Sequence, residues 1–360
     1  MDMISEKTIK TRELLIKHSA AYPSLRAEDI FKFIFQSSFG CEHLVSSESA
    51  ALEYIKREYA QSPESEHPRV EELDGDYSRV HLSCLSDGLS PETLARLFCL
   101  SAKKEEKGEE KLREKLEVAL ELVREGNIPI DREDFEKKLD EWRAAGCPAI
   151  HHSDVFRSEY RPAYRVIADR YVAFLPLFES IDRLCREKSR VVVAIEGGSA
   201  SGKSTLAEML SEIYDCSLIR MDDFFLRPEQ RTPERFAEIG GNVDRERFIE
   251  EVLSSLTKKE TVTYRPFLCS KQVLGDPITV VPGRLTVIEG AYSTHPELGR
   301  YYDLGVFLDI APEYQKERIL KRNTPAFAKR FFEEWIPLEN RYFSGFDTKN
   351  RVDLTVKIDR

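Results

Sequence analysis

Eight consecutive residues, Gly197-Gly198-Ser199-Ala200-Ser201-Gly202-Lys203-Ser204, satisfy the pattern G-x-x-x-x-G-K-[ST] at every constrained position. Small side chains let the backbone curl until successive N–H groups face one centre, which suits an anion with several oxygens. A lysine at that centre adds a point charge within reach of the β- and γ-phosphates of a nucleotide, and the serine after it offers a hydroxyl to Mg²⁺. The implied chemistry is triphosphate binding, with ATP and Mg²⁺ as expected cofactors and Gly197 to Thr205 as their contacts. The structural alternative is a glycine-rich turn joining two elements. The flanks oppose it: Val191 to Ile195 is an apolar run of strand length, and Thr205 to Leu210 opens an amphipathic helix whose positive dipole end would meet the same anion.

Two further stretches put carboxylates at strand ends. Ser217 to Met221 reads as a strand running into Asp222-Asp223-Phe224-Phe225, and Leu285 to Glu289 (LTVIE) reads as another, followed by Gly290. Beside a bound nucleotide, one acid of such a pair can accept the proton of an acceptor hydroxyl while the other helps hold Mg²⁺ through water. Asp223 joins Ser204 and Glu289 as a candidate for the metal; Glu289 could also touch substrate. Loop, capping or solvent-facing carboxylates are the alternatives. Tyr264 and Arg265 are candidate substrate contacts, Arg265 either for an anionic group or as a surface arginine. Arg318 and Arg322 lie at i and i+4 on one face of a basic helix over Glu317 to Asn323, which otherwise reads as a solvated helix end.

The elements that must hold these groups follow from the pattern. Strands at Val191–Ile195, Ser217–Met221, Leu285–Glu289, Leu304–Asp309 and Leu354–Ile358 alternate with helical segments, which predicts a parallel sheet covered by helices, with ligands at the carboxyl ends of its strands. The fold class is therefore α/β, a P-loop NTPase-type sheet over residues 189–360, preceded by a mostly α-helical domain over 1–188. In that first domain, helices are expected around Ile9–Ile16, Ile30–Phe35, Ala50–Tyr59, from Ser90-Pro91, Leu112–Glu125, Asp131–Ala145 and Tyr171–Leu184, the last kinked or started near Pro176, with Arg79–Cys84 as a strand. His43, His81, His151 and His152 have no metal-ligand spacing and read as ordinary histidines unless the fold gathers them. The segment His151 to Ile167 is dense in His, Arg and Tyr, which suits either an anion pocket or an interface.

Bulk properties narrow the classes. A length of 360 residues favours two domains, and a formal net charge of −10 excludes a general nucleic-acid-binding surface. Seven scattered cysteines without C-x-x-C spacing read as reduced, mostly core thiols. Charges at Asp2, Glu6, Lys7 and Lys10 oppose a signal peptide, and no run has membrane-spanning length, so a cytoplasmic protein acting on a small molecule is expected, with no nucleic-acid or membrane partner. Homo-oligomerisation is left open.

In order, GGSASGKST, MDDFF, GGNVD (Gly240 to Asp244) and VIEGAY (Val287 to Tyr292) resemble the uridine kinases and the wider group with phosphoribulokinases and pantothenate kinases. The resemblance covers nearly all of the second half and nothing before it. It implies that Asp222 is the catalytic base, that Asp244 grips substrate hydroxyls unless it simply caps the helix from Arg245, and that Arg318 and Arg322 belong to a lid that stabilises transferring charge beside Lys203. Arg330 and Arg341 are further candidates for that cluster. The family's base-recognising residues are replaced here by Tyr264-Arg265-Pro266-Phe267 and Cys269-Ser270-Lys271, which separates the expected phosphoryl transfer from uridine itself. The expectation is an ATP-dependent kinase acting on a hydroxyl of a nucleoside-like, sugar or related metabolite. The alternatives are a bifunctional enzyme with a second activity in the first half, and a non-kinase P-loop switch.

Overall fold

The structure, a computed structural model, describes residues 6–61 and 68–359; Asp2 of the charged N-terminal run lies outside them. The chain divides into two compact units, Met1–Glu179 and Ser180–Arg360.

The first unit opens with α1 (Glu6–Ala21), α2 (Ala27–Phe39) and α3 (Glu48–Gln61), followed by β1 (Val70–Leu73) and β2 (Tyr77–His81). Next come α4 (Pro91–Ser101), α5 (Gly108–Arg124), α6 (Arg132–Ala144), α7 (Asp154–Tyr160), β3 (Tyr164–Ala168), α8 (Asp169–Val172) and α9 (Leu175–Glu187), which begins in this unit and runs past its end at Glu179. The helix starts follow local chemistry: the Ser90 hydroxyl accepts from Thr93 N and the Asp131 carboxylate from Asp134 N, each satisfying a first-turn N–H. The three strands form an antiparallel sheet in the order β1-β2-β3. The expected strand at Arg79–Cys84 begins two residues earlier, at Tyr77, and ends at His81 in a 3₁₀ turn over Leu82–Leu85. The physical reason is that all five residues of β2 are buried, so no polar-out alternation marks its ends. The helix expected over Tyr171–Leu184, kinked or started near Pro176, is divided into α8 and α9, with α9 starting at Leu175. Only Cys41 and Cys84 of the seven cysteines are buried, and Cys269 is exposed, which corrects the expectation of mostly core thiols.

The histidines do not gather. Among the described residues no group of three metal-ligating side chains exists. His43 packs edge-on against Phe35, and His151 is exposed. His152 is buried, with Nδ1 2.8 Å from Asp29 Oδ1 and Nε2 2.7 Å from the Tyr164 hydroxyl. Burial, despite the Asp29 hydrogen bond that opposes it, brings the His152 pKa down to about 3. An unfolded imidazole titrates near 6.5, so between these values the unfolded chain holds a proton that the folded chain refuses, and stability falls as pH falls. Thermal melts from pH 7 to 5 should show a decline of up to about 1.4 kcal/mol per pH unit for each such histidine. His152→Gln should make that slope shallower. An unchanged slope would assign the loss to other groups.

The second unit carries β4 (Val191–Gly197), α10 (Lys203–Ile213), β5 (Cys216–Arg220), α11 (Pro233–Ala237), α12 (Arg245–Phe248), a π-helical turn and α13 (Ser254–Lys258). Four short strands follow, β6 (Val262–Tyr264), β7 (Phe267–Leu268), β8 (Val273–Leu274) and β9 (Ile278–Val280), then β10 (Leu285–Glu289) and β11 (Leu304–Ile310). α14 (Pro312–Arg322), α15 (Pro325–Arg330), α16 (Ile336–Gly345), α17 (Thr348–Arg351) and β12 (Leu354–Ile358) complete it. Five strands form one parallel sheet in the order β12-β11-β4-β10-β5, as the alternating pattern predicted. β4 sits at its centre, β5 and β10 lie on one side of it and β11 on the other. That makes the carboxyl end of β4 the place where ligands collect. The β6–β9 and β7–β8 hairpins were not anticipated.

Candidate active site

The loop after β4 is built on backbone that few residues tolerate. Gly197, Ala200 and Gly202 have φ of 148°, 63° and 101°. A Cβ at Gly197 would meet the Leu308 carbonyl oxygen of β11 at 2.8 Å, a backbone atom that cannot swing away. α10 starts directly after Gly202, so the first-turn N–H groups of Lys203, Ser204 and Thr205 have no acceptor within the helix and are available to an anion. The Lys203 ammonium lies 3.0 Å from the Gly198 carbonyl oxygen, bent back across the loop. The Ser201 hydroxyl is buried without a hydrogen-bond partner, an orphaned donor of the kind a ligand oxygen satisfies.

Beneath the loop sits a residue that sequence reading passed over. Glu196, wholly buried, accepts from Gly197 N, Tyr292 N, Thr294 N, the Thr294 hydroxyl and the Tyr342 hydroxyl at 2.9–3.1 Å. Burial raises its pKa, and the N–H donors oppose that rise. The carboxylate ties the start of the loop to the VIEGAY turn after β10. A charged residue set between the apolar run VVVAI and the glycine-rich loop was the signal that could have found it. In that turn, a Cβ on Gly290 (φ 140°) would strike the Met221 Cβ at 2.6 Å, so glycine is what lets the ends of β10 and β5 approach.

That approach gathers the acids. The Ser204 hydroxyl donates to Glu289 Oε1 at 3.1 Å, and Arg220 Nε stands 3.8 Å from the same oxygen. Burial raises the Glu289 pKa; the neighbouring Asp222 charge raises it further and Lys203 lowers it. Ser204 and Glu289 form a pair of hard oxygen donors of the kind Mg²⁺ selects. Asp222 is exposed at the end of β5. Asp223 instead accepts from the Tyr264 hydroxyl at 3.0 Å, and burial raises its pKa. Burial raises the pKa of Cys269, in the β7–β8 hairpin, with the Arg231 charge opposing and the Asp222 charge adding to the rise.

A second set of groups reaches the loop from α14 and α16. Glu339, buried, accepts from Ser199 N at 2.9 Å and the Ser199 hydroxyl at 2.6 Å, while Gln315 Nε2 donates to the Ser199 carbonyl at 2.8 Å. Arg318 Nη1 donates to the Ala200 carbonyl at 3.3 Å. Ala200, Ile319, Ala328 and Phe331 share one apolar cluster that packs this helical layer on the loop. Arg322, one turn beyond Arg318, rests 5.5 Å from the centroid of the Phe331 ring instead. Arg330 pairs with Glu334, and Arg341 donates to the Phe236 and Glu238 carbonyls. No local pattern marks Glu339 or Gln315.

The acceptor-side candidates are held by the fold. Asp244, 1% exposed, caps α12 by accepting from Arg247 N at 3.2 Å, and its other oxygen lies 3.3 Å from Arg247 Nε and 3.6 Å from Arg227 Nε. The capping alternative therefore describes its contacts. Arg265 spends its guanidinium on the Gly275 and Leu274 carbonyls of the hairpin.

Compared with known proteins, the chain is 29% identical over 203 residues, 49% of its length, to a bifunctional alpha-galactosidase/sucrose kinase of Mediterraneibacter gnavus, of which it covers 21%. It is 26% identical over 142 residues, 37% of its length, to the uridine kinase of Chlamydia pneumoniae, of which it covers 62%. Half of the chain resembles the uridine kinase-like P-loop kinases. The chain spans less than two thirds of either relative's length. Among solved structures, one of a possible uridine kinase from Bacillus stearothermophilus aligns with 50% of this chain and 98% of that one, at 22% identity and a TM-score of 0.38. No family model matches. Among the described residues no helix is long and apolar enough to cross a membrane.

Proposed function

We propose that the P-loop unit is an ATP-dependent kinase that phosphorylates a hydroxyl of a small metabolite, a sugar or nucleoside-like compound. The observation that carries this reading is the meeting of Lys203, the Ser204–Glu289 pair and the exposed Asp222 at the carboxyl ends of β4, β10 and β5. Gly197 to Thr205 would cradle the triphosphate through backbone N–H groups, with Lys203 as point charge. Ser204 and Glu289 would hold Mg²⁺, which when bound supplies charge stabilisation on the phosphate oxygens. Asp222 would take the proton of the acceptor hydroxyl on its carboxylate. Asp223 accepts from the Tyr264 hydroxyl and would help to hold Mg²⁺ through water. Because this transfer needs little covalent help, positioning and electrostatics carry the rate.

Arg318 is the arginine placed to stabilise transferring charge, since it already touches the loop, whereas Arg322 lies on an aromatic ring. Arg318→Ala should lower kcat about 10²-fold with KM for ATP little changed, and Arg322→Ala should cost less than a tenth of that. Steady-state ADP release reads both; equal losses would remove the distinction.

The test of the function is ADP formation by the purified chain with Mg²⁺ and ATP across a panel of nucleosides, monosaccharides and disaccharides, beside Lys203→Ala. An acceptor-dependent signal lost in Lys203→Ala supports the kinase. ATP hydrolysis indifferent to every acceptor would point to a P-loop switch instead. A separate conversion that survives Lys203→Ala would point to a bifunctional enzyme.

A further inference from the structure

The first unit contains a concave site that phosphoryl transfer does not use. A cavity of about 340 Å³ opens among α2, α3 and the segment around α7, at the lower end of the range of small-molecule pockets. Three cations, Lys32, Arg157 and Arg161, line it with a single carboxylate, Glu58, beside the imidazoles of His151 and His152. Glu58 is already engaged, its Oε2 accepting from Arg165 Nη1 at 2.8 Å.

Lys32 is the informative member. It is half-buried on α2 and donates to the Ile150 carbonyl at 3.0 Å. Among the described residues no carboxylate lies within ion-pair distance of it. Burial first, then the charges of Arg79 and Arg157, bring its pKa down to about 8, with Asp29 opposing. An ammonium withdrawn from water without a counter-ion is costly, and a bound anion removes that cost. At the rim, His151 and Arg161 are exposed, and Arg157 is engaged only with the exposed Asp154 among ion pairs of the described residues.

We propose that this cavity binds a small organic oxyanion, a metabolite bearing a phosphate or carboxylate group, with the anion on Lys32 and Arg157 and Arg161 closing on it from the rim. The site is separate from the phosphate loop in sequence and in unit, so it adds a ligand to the protein whatever the acceptor of the P-loop unit proves to be.

The test is isothermal titration of the full chain carrying Lys203→Ala, which weakens anion binding at the phosphate loop. The probes are ribose 5-phosphate, succinate and inorganic phosphate, with uncharged ribose as control. At least one anion should bind while ribose does not, and the probe that binds identifies the class. Arg161→Ala, a substitution at an exposed side chain, should weaken that binding about tenfold, and Lys32→Met should abolish it. Adding Ser204→Ala should leave it unchanged. The proposal is overturned if no anion binds, if ribose binds as well as the anions, or if binding ignores Arg161→Ala but disappears with Ser204→Ala.

Discussion

Asp222→Asn should lower the rate of acceptor-dependent ADP formation about 10²–10⁴-fold, the range in which a positioned general base contributes, while Asp223→Asn should lower it much less. The two acids are adjacent in sequence but not in environment. Asp222 is exposed at the carboxyl end of β5, and its charge reaches Glu289, the partner of Ser204. Asp223 is half-buried, accepts from Tyr264 and is anchored through its own carbonyl by Arg247 Nη2 at 2.7 Å. Asparagine keeps the shape of either side chain and removes only its capacity to accept a proton, so a loss in kcat with KM for ATP preserved isolates the base. If the two variants lose activity equally, or if Asp223→Asn loses more, the base is misassigned.

Glu71→Gln should destabilise the first unit by about 3–5 kcal/mol, the cost of leaving a buried charge without its partner. Arg79 is completely buried on β2, with Nη1 3.0 Å from Glu71 Oε2 and Nε 2.9 Å from Gln36 Oε1, between the rings of Phe33 and Tyr164. His18 Nδ1 reaches the other Glu71 oxygen at 2.5 Å. The Arg79 charge and the His18 hydrogen bond overcome burial and hold the Glu71 carboxyl well below the usual range. The double variant Glu71→Gln/Arg79→Met should lose less than the sum of the single losses, because no unpaired guanidinium remains. Urea unfolding of the four proteins reads this cycle, and additive losses would show that the pair is not coupled. A depressed carboxyl pKa also fixes the sign with acid. The Glu71 contribution is complete above the unfolded value, near 4.3, and is lost as pH falls below it towards the folded value.

Arg79 also shows why the first unit was hard to read. A strand whose five residues are all buried, one of them an arginine, has neither the alternation of a half-exposed strand nor the uniform apolarity of a central one. Its charge is acceptable only because Glu71, Gln36 and two rings from separate elements surround it. None of those pairings leaves a local mark in the chain.

The P-loop unit divides along the same line. Sequence alone determined the loop, since a phosphate cradle is made from contiguous backbone and its requirements for small residues, a lysine and a following helix are met within one stretch. It also determined two strands of the sheet, β10 within it and β12 at its edge, whose bounds Leu285–Glu289 and Leu354–Ile358 are those expected, and the helix starts at Ser90 and Asp131, because a cap is a contact across three residues. Tertiary structure alone decided what surrounds the loop. Glu339 meets Ser199 across 140 residues of chain, and Arg318 meets Ala200 across 118; such pairs depend on how α14 and α16 pack, not on any spacing along the chain. The same holds for Asp222 and Asp223. The sequence presents two equivalent acids, and the strand end that exposes one and the tyrosine that engages the other make them different.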